Sequence, residues 1–247
     1  MAQNLGFTVW LTGMLGAGKS TVANYVAARL RQVGRNVEIL DEDDLGEALW
    51  SEMEGSTKEE RVLISRRMAF VADLLTRNGV CVLAACTSPY KSQREEARRL
   101  IQRYVEVYVD CPTDDLIKRD SSGKYKKALA GEIPNFVGIT EPYEPPGSAE
   151  VVIHTNTEAI EVGGLRVFHA LLDLAHVTPD ELKVITGSRT KTGHSRRPSK
   201  GAVSARARPA ARTAGKGRGA AKSKTKKSRP KVKGKAKAKA KAKARKG

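Results

Sequence analysis

The chain has 247 residues, 45 of them Lys or Arg and 27 Asp or Glu, and its formal charge of +18 is very unevenly placed. Every acid precedes Gly187, where 21 bases leave that part at −6, while the rest carries 24 bases, no acid and hence +24. No apolar run approaches the roughly 20 residues of a membrane span, and no charged leader with an apolar stretch opens the chain, so neither a membrane nor an exported protein is expected.

An acidic domain over residues 1–187, long enough to bury a substantial core, is expected ahead of a basic segment over 188–247. The three cysteines, Cys81, Cys86 and Cys111, are odd in number and lack metal-ligand spacing. They read as small buried hydrophobes in a reducing, cytoplasmic setting.

The first β-branched run, FTVWLTG, leads straight into GMLGAGKS at 13–20. Gly13, Gly18, Lys19 and Ser20 fit the phosphate-loop pattern between a strand and a helix, with Gly16, Ala17 and Thr21 supplying further backbone N–H groups. Such a loop holds a nucleoside triphosphate: Lys19 neutralises the β/γ-phosphates and the Ser20 hydroxyl ligates Mg²⁺. Ala23, Val26, Ala27 and Leu30 then repeat at helical spacing and stop before Gly34.

The second strand, NVEILD, ends in an acidic cluster where Asp41 and Asp43 sit at a strand's carboxyl edge. There a carboxylate holds a metal through water, orients an attacking hydroxyl or is simply solvated. A second helical stripe, Ile64, Met68, Val71 and Leu75, ends at Asn78-Gly79. Two more strands follow, VCVLAAC and VEVYVDC. From Asp120 to Pro146 the pattern breaks into Gly, Pro, Lys and Tyr, too long for a plain connection and fit for a lid.

EVVIHT supplies a fifth strand, and TPDELKVITG at 178–187 reads as a short capped helix ending the domain. Strands apolar on both faces and separated by helices predict an α/β fold of five mostly parallel strands covered on both sides. His154, His169, His176 and His194 show no ligand spacing. Beyond 187 Ala, Lys, Arg, Gly, Ser and Pro dominate, with KAKAKAKAKA at 235–244. Such a segment cannot bury enough apolar surface to order itself, and it should hold polyanions, nucleic acid included, without base readout.

Four stretches, FTVWLTGMLGAGKST, SPYKSQREEAR, RDSSGKYKKALAGEI and NFVGITEPYEPP, in this order and spacing, closely resemble adenylylsulfate kinases. The resemblance runs from about Leu5 to Thr155. It implies a phosphate-loop kinase with a mobile lid, often dimeric, that uses ATP and Mg²⁺ to phosphorylate the 3′-hydroxyl of adenosine 5′-phosphosulfate. Carried across by motif, it gives Lys19 and Ser20 to ATP and Mg²⁺ and Asp43 to the acceptor hydroxyl as base or aligning group; Asp41, at the same strand edge, is a further candidate for the substrate. It gives Arg67 and Arg94 to the anionic acceptor, Phe136 to stacking on its adenine with Ile139 alongside, Arg119 to the start of the lid, and Ser88 to the SPY turn.

Where the family reads D-G-D-N followed two residues later by Arg, this chain has Glu42, Asp44 and Gly46. The second stacking Phe is missing near Met53 to Gly55, and Ile64, Cys86 and Leu129 replace an Asn, a Phe and a lid Arg. These changes fall on the acceptor side and leave the ATP side intact. Three functions therefore stay open: an adenylylsulfate kinase with a remodelled pocket, a kinase of another hydroxyl compound, and an ATP-binding relative without turnover.

Overall fold

The structure, a computed structural model, describes residues 5–53 and 57–187; the expected basic segment at 188–247 lies outside them. Phe7–Thr12 (β1) is buried at every position. It pairs in parallel with Cys81–Ala85 (β3) on one side and Tyr104–Asp110 (β4) on the other. Val37–Asp41 (β2) and Val151–His154 (β5) complete a parallel sheet of order β2-β3-β1-β4-β5. From β1 the chain crosses to β2 on one side, and from β3 it crosses past β1 to β4 on the other; sheets of this kind bind ligands at the carboxyl ends beside that reversal.

Helices cover both faces, as the doubly apolar strands require. Phe7, Val9 and Leu11 face a core shared with Lys19–Gln32 (α1) and Ile160–Asp173 (α7). Trp10 faces the other layer with Lys58–Arg77 (α3) and Lys91–Leu100 (α4). The remaining helices are short: Gly46–Leu49 (α2), Thr113–Arg119 (α5), Lys124–Leu129 (α6) and Pro179–Ile185 (α8). The cap expected for α8 is present, with Thr178 Oγ1 accepting from Glu181 N at 3.2 Å and Glu181 Oε2 accepting from Thr178 N at 2.7 Å.

The stripe expected on α3 is only partly its inner face. Ile64 and Met68 are buried, but Val71 and Leu75 are half-buried, and Ser65, Ala69, Ala72 and Thr76 take the sheet side. These small side chains let α3 lie close enough for the Thr76 hydroxyl to meet that of Thr8 at 2.6 Å in the core. Cys81, Cys86 and Cys111 are all buried and free, as expected. Burial pushes the Cys81 thiol up to about 11, and it drives Cys86 well above its ordinary value with the help of the Glu42 carboxylate. Among the described residues no helix is long and apolar enough to cross a membrane.

Candidate active site

The β1–α1 connection is shaped by its glycines. Gly16 and Gly18 have φ of 77° and 103°, a region that costs other residues strain, and Gly18 caps α1. A Cβ on Gly13 would meet the Val109 carbonyl oxygen at 2.3 Å, so only glycine lets the loop pass β4 this closely. The Lys19 ammonium donates to the carbonyls of Gly13 and Met14 at 3.0 and 3.1 Å, folded back over the loop. Burial holds its pKa below the ordinary lysine value, against the pull of Glu42, Asp43 and Asp41. A cavity of about 450 Å³ opens above, lined by Lys19, Ser20, Thr21, Asp41, Asp43 and Arg119 among others.

Two contacts brace the loop from outside. Thr155, directly after β5, donates its hydroxyl to Ala17 O at 2.8 Å, and Arg119 in turn donates to Thr155 O at 2.8 Å. From the lid, the buried Tyr125 donates its hydroxyl to Leu15 O at 2.7 Å. Neither Thr155 nor Tyr125 stands out in the sequence, because each works through a partner remote in the chain. Position was the only signal: one follows a strand at the sheet's carboxyl edge, the other lies in the lid.

At the end of β2, Asp41 is buried and its Oδ1 accepts from Asp43 N at 3.1 Å, which turns the Asp43 side chain outward. Glu42 reaches across to the turn after β3, where its Oε2 accepts from Thr87 N at 2.6 Å. A second cavity of about 620 Å³ lies beyond, walled by Glu42, Asp43, Arg61, Ser88, Phe136 and other residues. Phe136 is held edge-on by the Tyr125 ring, centroids 4.9 Å apart at 74°. Arg61 bonds the lid carbonyl of Asn135 through Nη2, and its guanidinium also acts on the neighbouring Tyr90 hydroxyl. A guanidinium in a cavity wall can donate to an anion. Its helical spacing from Ile64, where the family has Asn, was the available clue to Arg61.

The other candidates lie off the two cavities or behind them. Arg67 points along α2 to Leu49 O at 2.6 Å and Glu52 Oε1 at 2.7 Å, beside an apolar depression with Leu63 and Phe70. Arg94 is buried and donates to Ser88 O and Glu144 O at 2.7 and 2.6 Å, with Glu106 at 2.9 Å. It ties the SPY turn to the end of the lid. Ser88 borders the second cavity, yet its hydroxyl is buried between Trp10 Nε1 and Thr12 Oγ1, both at 3.0 Å, on backbone with φ of 32°. Ile139 packs against the core below Phe136.

Phosphate loop, carboxylates and lid thus converge on the carboxyl edge of the sheet as two adjoining compartments, one built on the phosphate loop and one walled by Phe136 and Arg61. Residues 5–154 match the family model described as adenylylsulphate kinase. The chain belongs to that family. It is 42% identical over 177 residues to the adenylyl-sulfate kinase of Picosynechococcus sp., covering 72% of this chain and 99% of that protein. It is 46% identical over 172 residues to a probable bifunctional SAT/APS kinase 2 of Sorangium cellulosum, covering 70% of this chain but only 29% of that longer protein. Among solved structures, the Mycobacterium tuberculosis APS kinase in complex with AMPPNP and APS superposes with a TM-score of 0.64 at 35% identity, covering 68% of this chain and 98% of that one. The adenylylsulphate kinase fold therefore accounts for the whole two-compartment region.

Proposed function

We propose that the chain is a cytoplasmic adenylylsulfate kinase that transfers the γ-phosphoryl group of ATP to the 3′-hydroxyl of adenosine 5′-phosphosulfate. The observation that carries this reading is the pair of adjoining cavities, one built on the phosphate loop and the other on Phe136 and Arg61. Lys19 neutralises phosphate charge, and Asp43, which lines both cavities, aligns the acceptor hydroxyl and takes its proton. Phe136 stacks on the purine and Arg61 supplies the donor for the phosphosulfate. Arg94 and Ser88 serve by holding the turn and lid that frame the pocket.

Ser20, Asp41 and Asp43 place only oxygen donors around the triphosphate cavity, the donor set Mg²⁺ prefers. With the nucleotide bound, Ser20 would be the ion's protein anchor, and the ion would neutralise charge on the transferring group.

ADP release with Mg²⁺ and ATP, measured with and without adenosine 5′-phosphosulfate, tests the reading. Acceptor-stimulated turnover that disappears in Lys19→Ala is the expected result. ATP binding without stimulation would overturn it in favour of another hydroxyl acceptor or none. The 24 bases beyond residue 187, with no acid among them, support a second role for that segment in non-specific polyanion binding.

A further inference from the structure

Phosphoryl transfer has to cross the boundary between the two cavities, so the residues lining both surround the reacting atoms. Among the described residues these are Leu15, Glu42, Asp43, Thr87 and Lys124. Leu15 and Thr87 are uncharged and Glu42 and Asp43 are acids. Lys124 is the single cation of the shared wall. Lys126 and Lys127, its neighbours on α6, line neither cavity.

The lid backbone is fixed where Lys124 leaves it. The Asp120 carboxylate accepts from Ser122 N at 3.1 Å, from the Ser122 hydroxyl at 2.6 Å and from Tyr125 N at 2.7 Å. Gly123, with φ of 72°, turns the chain into α6. Tyr125, the next residue after Lys124, is pinned to the phosphate loop through Leu15 O. Lys124 thus projects an exposed four-carbon ammonium from a fixed base directly over the junction.

The acidic floor creates a need for such a cation. Glu42 is held at the junction by Thr87 N, and its charge and that of Asp43 oppose the negative charge spread over a loosely bonded phosphoryl group in flight. Lys19 answers this from the loop side only. We propose that Lys124 is a catalytic residue, a cation that the lid delivers to the transferring phosphoryl group opposite Glu42 and Asp43. The proposal rests on reading the two cavities as nucleotide and acceptor sites.

The test compares the full chain with Lys124→Ala and Lys124→Arg. Lys124→Ala should lower kcat for acceptor-dependent ADP release about tenfold or more, while KM for adenosine 5′-phosphosulfate stays within about threefold. Titration calorimetry with Mg·AMPPNP and Mg·ADP reads the same contact without an acceptor. The affinity of AMPPNP relative to ADP should fall by about three- to tenfold in Lys124→Ala and largely return in Lys124→Arg. An unchanged AMPPNP-to-ADP ratio in Lys124→Ala would overturn the proposal whatever the turnover. Absence of acceptor-dependent ADP release in the unaltered chain would instead overturn the sulfate reading, and the nucleotide ratio alone would then decide Lys124.

Discussion

At the scale of single residues, the two sides of the reaction should separate cleanly. Asp43→Asn keeps the shape of the carboxylate but not its basicity, so acceptor-dependent kcat should fall about 10²–10⁴-fold with ATP affinity nearly unchanged. Equal loss of both, by calorimetry and kinetics, would remove the role assigned to Asp43. A different residue controls acid stability. His176 is buried, stacks on Phe7 at 5.4 Å, and is held by burial and by Arg103 at a pKa of about 4 against an ordinary 6.5. The folded state therefore resists its proton. Above pH 6.5 both states are neutral and the full stability is present. Between pH 6.5 and about 4 the unfolded chain protonates first, so stability falls by up to about 1.4 kcal/mol per pH unit. Glu181, kept low by Arg35 despite its burial, adds its loss only at more acid pH, below its ordinary 4.5. His176→Phe should flatten the decline in Tm between pH 6.5 and 4; identical slopes would exclude it as the cause.

At the scale of elements, the strands were legible because the central apolar runs are buried on both faces and the two edge runs, β2 and β5, keep enough of the same pattern. The phosphate loop was legible because its glycines and lysine are spaced by the phosphates they hold. The inner face of α3 was only half legible: Ile64 and Met68 are buried as the stripe predicts, but small Ser65, Ala69, Ala72 and Thr76 complete the docking face, and a stripe of large apolar residues does not pick them out. The lid was legible as an interruption but not as a set of contacts: Tyr125 to Leu15 and Arg61 to Asn135 span 110 and 74 residues. Lys124 likewise is one of three lysines in KYKK at 124–127, and nothing but the two cavities it lines sets it apart. Helix α7 shows how local sequence serves docking. A Cβ on Gly163 would meet Ile153 Cγ2 at 2.7 Å, and one on Gly164 would meet the Tyr25 ring at 2.4 Å. The pair lets α7 approach both β5 and α1. Despite its better helix propensity, Gly163→Ala should lower stability by about 1–3 kcal/mol in urea unfolding, because Ile153 must move. An increase would show that the contact is slack.

At the scale of the whole molecule, charge divides the chain in two. Removing residues 188–247 takes the formal charge from +18 to −6. The shortened chain should lose affinity for duplex DNA or heparin at low salt, and the full chain's affinity should fall steeply as salt rises. Equal binding by both would exclude the basic segment as the anchor. Acceptor-dependent turnover should survive the truncation, since every residue placed at the two cavities precedes it.

The burial of all three thiols gives the domain an internal gauge of breathing. Cys81 and Cys111 lie in the layer of α1 and α7, Cys86 in that of α3 and α4, at the edge where Glu42 meets the site. A thiol reagent added to the folded chain can react only through transient openings, so labelling rates resolved by cysteine report each layer separately. Saturating nucleotide, by closing the edge around Lys19, should slow Cys86 more than Cys81. Substrate protection would then be read from the protein's own thiols, with no residue substituted.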